Sequence, residues 1–218
     1  MRNIDLVIID FDDTLSPTEE LTFRIENSIA SSMDFHPMTR LAHQQNWGKR
    51  IEEAITERFP GISASKFMDE WTSQLPVLAQ NGRVDTVSED NLAVLDKLVE
   101  KGFKLAILTS RTTREISHLM EMNHPLNSGR IERFYPLESS DYIKPDPKVF
   151  EKPLTDFGVL PDRVVYIGDS PNDGIAAKGA GLHFIASFEY NFRDKNDFSM
   201  IAFDGYINKF TELVNLLT

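Results

Sequence analysis

Three carboxylates, Asp10, Asp12 and Asp13, follow directly on the apolar run Leu6-Val7-Ile8-Ile9 in a chain of 218 residues. Such a run reads as a buried strand. Acids at its mouth are costly, because an ionised carboxylate leaves water only when a cation or hydrogen-bond donors compensate it. A bound divalent metal is the natural compensation. Three later segments carry further reactive groups: Thr109-Ser110-Arg111, Lys144-Pro145-Asp146-Pro147 and Gly168-Asp169-Ser170-Pro171-Asn172-Asp173. In an open parallel sheet, ligands bind beyond the carboxyl ends of the strands, so groups this far apart in sequence can converge there.

The elements that would position these groups are legible as further apolar runs at Lys104–Thr109, Val164–Gly168 and His183–Ala186. Their continuous apolar character, in place of alternation, predicts parallel strands covered on both faces by helices. Leu92, Val94, Leu95, Leu98 and Val99 recur at helical spacing between Ser88, a candidate N-cap, and Gly102, a terminator. Helical patterns also run from Pro147 to Phe157, closing at Gly158, and from Asn172 to Gly181, where small residues allow close packing on a sheet. Strand and helix therefore alternate after Ser88, which defines an α/β fold class. From Ser16 to Asp85 the chain has little strand character and shows helical patterns around Ile51 to Phe59 and Ser65 to Leu78. That stretch is far longer than the roughly 2 to 6 residues that join strand to helix in α/β units, so an inserted helical domain is expected. Near the C-terminus, Phe188, Tyr190, Phe192 and Phe198 are expected to pack an extension on the core, followed by a helix from Phe210 to Leu217; neither is assigned chemistry.

Composition narrows the function classes. With 41% hydrophobic and 26% charged residues, the chain is close to a globular average of about 45 to 50% apolar and about 25% charged. Lys and Arg number 23 against 34 Asp and Glu, a formal net charge of -11 with no basic block. That field repels a nucleic-acid backbone, so no nucleic-acid partner is expected. A small anionic substrate would need local positive charge. Cysteine is absent, which excludes disulfides, thiolate metal sites and cysteine nucleophiles. Only four consecutive apolar residues precede Asp10, fewer than the roughly 7 to 15 of a signal-peptide core or the roughly 20 of a membrane span. The expectation is a soluble, cytoplasmic monomer or homodimer with no membrane partner.

In order, spacing and strand context, the four segments resemble those of the haloacid dehalogenase-like hydrolase superfamily, in its capped, phosphoglycolate phosphatase-like branch. Ile175-Ala176-Ala177-Lys178-Gly179-Ala180-Gly181 extends the match. The resemblance implies a Rossmann-like parallel sheet flanked by helices, formed by residues 1–15 and 86–218, with residues 16–85 as an inserted α-helical cap. It makes Asp10 the nucleophile that becomes an aspartyl phosphate and Asp12 the general acid and base. Mg²⁺ would be held by Asp10, the main-chain carbonyl of Asp12 and Asp169, with Asp173 at the metal or orienting its waters. Thr109 and Ser110 would donate to the phosphoryl oxygens and Lys144 would add a positive charge. Arg111, and Lys49 and Arg50 from a cap loop, are candidate substrate-binding residues. Thr14 is expected to shape the turn after the nucleophile, and Asp13 is given no catalytic role. The implied activity is a Mg²⁺-dependent phosphatase acting on a small phosphorylated metabolite, such as a phosphoglycolate- or nucleotide-like monoester.

Competing readings fit less well. The Leu6 to Asp13 run also resembles the metal-binding strand of a P-loop ATPase, but no Gly-x4-Gly-Lys-Ser/Thr segment exists. Gly174, Gly179 and Gly181 do not follow a strand in dinucleotide-binding spacing, so helix packing explains them. Asp12 speaks against dehalogenation, since dehalogenating members of the superfamily lack an acid there. Lys49 leaves phosphonate hydrolysis through a Schiff base open, and a phosphomutase or a noncatalytic phosphoacceptor or phosphate-binding protein are further alternatives. His36, His43, His118, His124 and His183 show no metal-ligand spacing and are unassigned, while Trp47 and Trp71 read as core aromatics.

Overall fold

A computed structural model describes residues 3–47, 49, 51–81, 84–190 and 193–217. The chain divides into two compact units, Met1–Ser16 with Val87–Thr218, and Pro17–Thr86. Its strands are β1 (Leu6–Ile9), β2 (Lys104–Leu108), β3 (Arg133–Tyr135), β4 (Val164–Gly168), β5 (His183–Ser187) and β6 (Gly205–Ile207). Its helices are α1 (Glu19–Ser32), α2 (Arg40–Gln45), α3 (Ile51–Arg58), α4 (Ala64–Gln80), α5 (Glu89–Glu100), α6 (Thr113–Ile116), α7 (Glu151–Phe157), α8 (Pro171–Gly179) and α9 (Leu213–Leu217). Among the described residues, no helix is long and apolar enough to cross a membrane.

The discontinuous unit is built on one sheet in the order β3-β2-β1-β4-β5-β6, with every neighbouring pair parallel. This is the parallel α/β sheet expected from the apolar runs, and the Rossmann-like core that the resemblance implied. Successive side chains of a strand point to opposite faces, and here both faces are buried. Val7, Ile9, Ile107 and Ile167 join a cluster with Leu95 and Leu98 of α5 and Leu213 of α9. Leu6, Ile8, Leu108 and Tyr166 join another with Ala176 and Ala177 of α8. The outer strands β3 and β6 were not predicted; each has three residues and places only one of them in full burial.

Local signals set most of the helix ends. The Ser88 hydroxyl accepts the Asn91 amide at 3.2 Å and opens α5. The segment expected to be helical from Pro147 starts as a 3-10 turn at Pro147–Phe150, because Asp146 caps Lys148, and becomes α-helical only in α7. Gly158 then ends α7 at φ 62°, a left-handed conformation that favours glycine. Gly174 and Gly179 do serve packing: a Cβ at Gly174 would stand 2.7 Å from Ile201 and one at Gly179 3.1 Å from Pro147.

The second unit holds α1 to α4 around Ile29, Ile55, Phe59, Phe67, Trp71 and Leu75. Trp71 is a core residue, as expected. Sequence periodicity identified α3 and α4 but neither α1 nor α2. Those two helices turn charge inward. Arg58 Nη1 donates to both carboxylate oxygens of Glu26 at 2.7 Å, and His43 Nδ1 stands 2.9 Å from Glu19 Oε1. Arg40 pairs with Glu19 as well. Burial above all pushes Glu26 up to about 7, against the attraction of Arg58.

Candidate active site

The sheet register brings three strand ends level, since Ile9 of β1 pairs with Ile107 of β2 on one side and Ile167 of β4 on the other. Asp10, Thr109 and Asp169 follow these strands directly, and all three are buried. The Asp10 amide donates to Ile167 O at 2.9 Å, fixing the nucleophile candidate to the central strand. Beyond it the chain folds back at once: the amides of Leu15 and Ser16 donate to Phe11 O, and Asp13 adopts φ 51°. This turn buries Asp13 and Thr14 and leaves the Asp12 side chain 24% exposed.

Asp10, Asp169 and Asp173 each offer a carboxylate oxygen, all within 4.8 Å of one another. Lys144 enters this group as a buried cation, its Nζ 2.9 Å from Asp10 Oδ1 and 2.7 Å from Asp173 Oδ1. Tyr166 of β4, fully buried, places its hydroxyl 3.0 Å from the same Nζ and 3.1 Å from Asp173 Oδ1. Asp173 is further held by Ser170, whose amide and hydroxyl donate to Oδ2 at 2.9 and 2.6 Å. Gly168 makes that fold possible, because a Cβ there would stand 2.6 Å from the Asp173 side chain.

The electrostatics are those of a site short of positive charge. Burial, then repulsion from Asp173 and Asp12, pushes Asp10 up to about 8 against the pull of Lys144. Burial opposes the Lys144 charge, yet Asp10 and Asp173 outweigh it and hold that ammonium well above its ordinary pKa. Asp169 lies well above the ordinary carboxylate range through burial and the repulsion of Asp173, Asp13 and Asp10. Its Oδ2 is buried and accepts no hydrogen bond, with Arg193 Nε 3.7 Å away. Oxygen donors crowded in this way, one of them without a donor, fit a hard divalent cation.

Thr109, Ser110 and Lys144 line one small recess together with Tyr135 and Tyr142. The Thr109 hydroxyl accepts the Arg111 amide at 3.2 Å, and Arg111 Nη1 stands 3.6 Å from Asp12 Oδ1. The core residues singled out from sequence thus converge. Lys49 belongs to the helical unit, where it is exposed and paired with Glu57 at 2.6 Å. Gly48 and Arg50, and Phe192 of the C-terminal extension, lie outside the described residues. Two participants escaped sequence reading: Tyr166, hidden as one more apolar residue of a strand, and Arg193, one of two cations in a segment that had been assigned no chemistry.

A parallel α/β core whose central strand ends in carboxylates, facing a buried lysine, defines a class of hydrolase. A family profile of haloacid dehalogenase-like hydrolases matches residues 7–187. The chain belongs to this family and is a hydrolase. Pyrophosphatase PpaX of Anoxybacillus flavithermus is 24% identical over 222 residues, covering 99% of this chain and 97% of that one. A phosphorylated carbohydrates phosphatase of Thermotoga maritima is 26% identical, with 88% of each chain covered. The crystal structure of CbbY from Rhodobacter sphaeroides in complex with phosphate superposes with a TM-score of 0.82 at 22% identity, covering 96% of both chains. That last likeness is one of fold.

Proposed function

We propose that the chain is a Mg²⁺-dependent phosphatase that hydrolyses a small phosphorylated metabolite through an aspartyl phosphate on Asp10. The observation that carries this reading is the group of Asp10, Asp169 and Asp173, with carboxylate oxygens within 4.8 Å of one another and Lys144 bridging two of them. Asp10 and Asp169 would hold the ion together with the main-chain carbonyl of Asp12. Asp173, already engaged by Ser170, Tyr166 and Lys144, would act beside it. When bound, Mg²⁺ neutralises charge between the carboxylates and an incoming phosphoryl group.

In the first displacement, an Asp10 carboxylate oxygen attacks phosphorus, the bond to the ester oxygen breaks, and Asp12 gives its proton to that leaving oxygen. In the second, Asp12 removes a proton from water, the resulting oxygen bonds to phosphorus, and the Asp10 carboxylate departs. Lys144, Thr109 and Ser110 stabilise the phosphoryl oxygens throughout. Arg111 supports an anionic substrate beside Asp12. The helical unit, with Lys49, serves as a cap that selects the substrate and excludes water. The relatives' names, which specify pyrophosphate and phosphorylated carbohydrates, frame the substrate search.

The test is phosphate release from sugar phosphates, phosphoglycolate, nucleotides, pyrophosphate and an aryl phosphate, with Mg²⁺ or EDTA. Release that requires Mg²⁺ and is lost in Asp10→Asn supports the reading. Release that persists in EDTA or in Asp10→Asn overturns it, as does no release from any ester while a phosphonate is cleaved.

A further inference from the structure

Between β5 and β6 the chain makes a long excursion anchored by Phe188 and Phe198, whose rings meet edge to face at 5.6 Å. Tyr190 ties it to the turn after β1 by donating to Leu15 O at 3.1 Å. Of its charged side chains, Lys195 lies over the Tyr206 ring at 3.5 Å, and Asp194 accepts from the Asn196 amide at 2.7 Å. Arg193 points elsewhere. Its Nε stands 3.7 Å from Asp169 Oδ2, with side-chain exposures of 21% and 10%.

The cations around the carboxylate cluster are thereby divided among different acids. Lys144 serves Asp10 and Asp173, Arg111 serves Asp12, and Arg193 serves Asp169. Arg193 is the cation that stands beside Asp169 Oδ2, a buried oxygen that accepts no hydrogen bond. A guanidinium there and a metal ion on the same carboxylate repel one another across a few ångströms of partly buried protein, where charge interactions are several times stronger than in water.

We propose that Arg193 is a positioning residue of the metal centre: it holds Asp169 in the metal-free protein, competes with the ion for that carboxylate, and so sets a weaker metal affinity than the acids alone would give. The inference rests on the proposed metal centre. Its role is to place a positive charge beside Asp169 when the ion is absent, at the expense of tight binding when it is present.

The experiment is calorimetric titration of Mg²⁺ alone into the full chain, as wild type, Arg193→Gln and Arg193→Lys, with circular dichroism to establish the fold. Arg193→Gln is expected to bind Mg²⁺ at least about fivefold more tightly, while Arg193→Lys stays near wild type. The gain shrinks as salt rises, because these charges are partly exposed. An unchanged affinity in Arg193→Gln overturns the proposal, and a weaker one does so by making Arg193 a helper of the metal. Wild type that binds no Mg²⁺ removes the metal centre and this inference together. Wild type that binds Mg²⁺ and turns over, with no tightening in Arg193→Gln, removes this inference alone.

Discussion

The chain buries charge in two places, and although burial raises Glu26 to about 7 in one and Asp10 to about 8 in the other, the two differ in how the acids are paired. In the helical unit, Glu19 and Glu26 are matched by Arg40 and Arg58, with His43 between the two acids. Burial works against ionisation of Glu19, yet hydrogen bonds from His43 and Arg40 outweigh it and hold its pKa below the ordinary value. In the sheet unit, Asp10 and Asp169 are held well above theirs, since burial and like charge together exceed what Lys144 and Arg193 supply. Compensated charge fixes helices to one another. Uncompensated charge is maintained only where something arrives to complete it, and perturbed carboxylates at strand ends mark that place.

Asp10→Asn gives the largest contrast. Turnover is expected to fall by at least about 10⁴-fold in steady-state phosphate release, since the attacking oxygen is gone. The thermal midpoint in EDTA is expected to hold or rise, because one of several repelling acids has become neutral. A midpoint that drops would place the site among the compensated clusters. Arg58→Ala tests the other region. It leaves Glu26 buried without its guanidinium, and breaking such a pair costs about 3 to 5 kcal/mol. Trp47 and Trp71 are the two tryptophans of the chain, and both lie in the helical unit, so their fluorescence during urea unfolding reports that loss directly. No loss would mean that the apolar core alone holds α1 to α3. Tyr166→Phe is milder. The ring still packs edge to face on Phe150 at 4.9 Å, while Lys144 loses one of three partners. kcat is expected to fall about tenfold to a hundredfold with little change in KM, in line with a hydrogen bond to a charged group. A change in KM alone would remove Tyr166 from the placement of Lys144.

The same contrast explains what was legible. β1, β2, β4 and β5 announce themselves because central strands are covered on both faces, and the reactive groups sit where those runs stop. β3 and β6 are edge strands of three residues with exposed neighbours, so no apolar run marks them. α1 and α2 were hidden by their inverted pattern: Glu26 and His43 are fully buried whereas Leu41 is 65% exposed. A hydrophobic period cannot reveal a face buried through paired charge. Arg193 was illegible for a related reason, as its role depends on which acid the loop brings it to.

The finest test of the comparison is the pH dependence of the compensated cluster. Glu26 at about 7 lies above its ordinary 4.5, chiefly through burial and also through the negative charge of Glu19. The folded chain therefore holds this proton more tightly than the unfolded chain. The resulting stability is fully present below pH 4.5 and is lost as pH rises towards 7. His43 works in the other direction. Its pKa is lowered from 6.5, first by burial and then by Arg58 and Arg40 against Glu19, so its contribution is present above 6.5 and lost as pH falls. The groups facing the pair are Glu19 from α1, Arg40 from α2 and Arg58 from α3. Glu26→Gln removes one of the two opposing titrations. Relative to wild type, the variant is expected to gain stability from pH 4.5 to 7, by about 1.4 kcal/mol per pH unit at most, read from tryptophan-monitored urea midpoints across that range. Below pH 4.5 the two proteins should run parallel. A difference that shrinks as pH rises would mean that Glu26 is ionised more easily in the fold than in the unfolded chain, which would make Arg58 an overcompensating partner and end the balance on which the contrast with the active site stands.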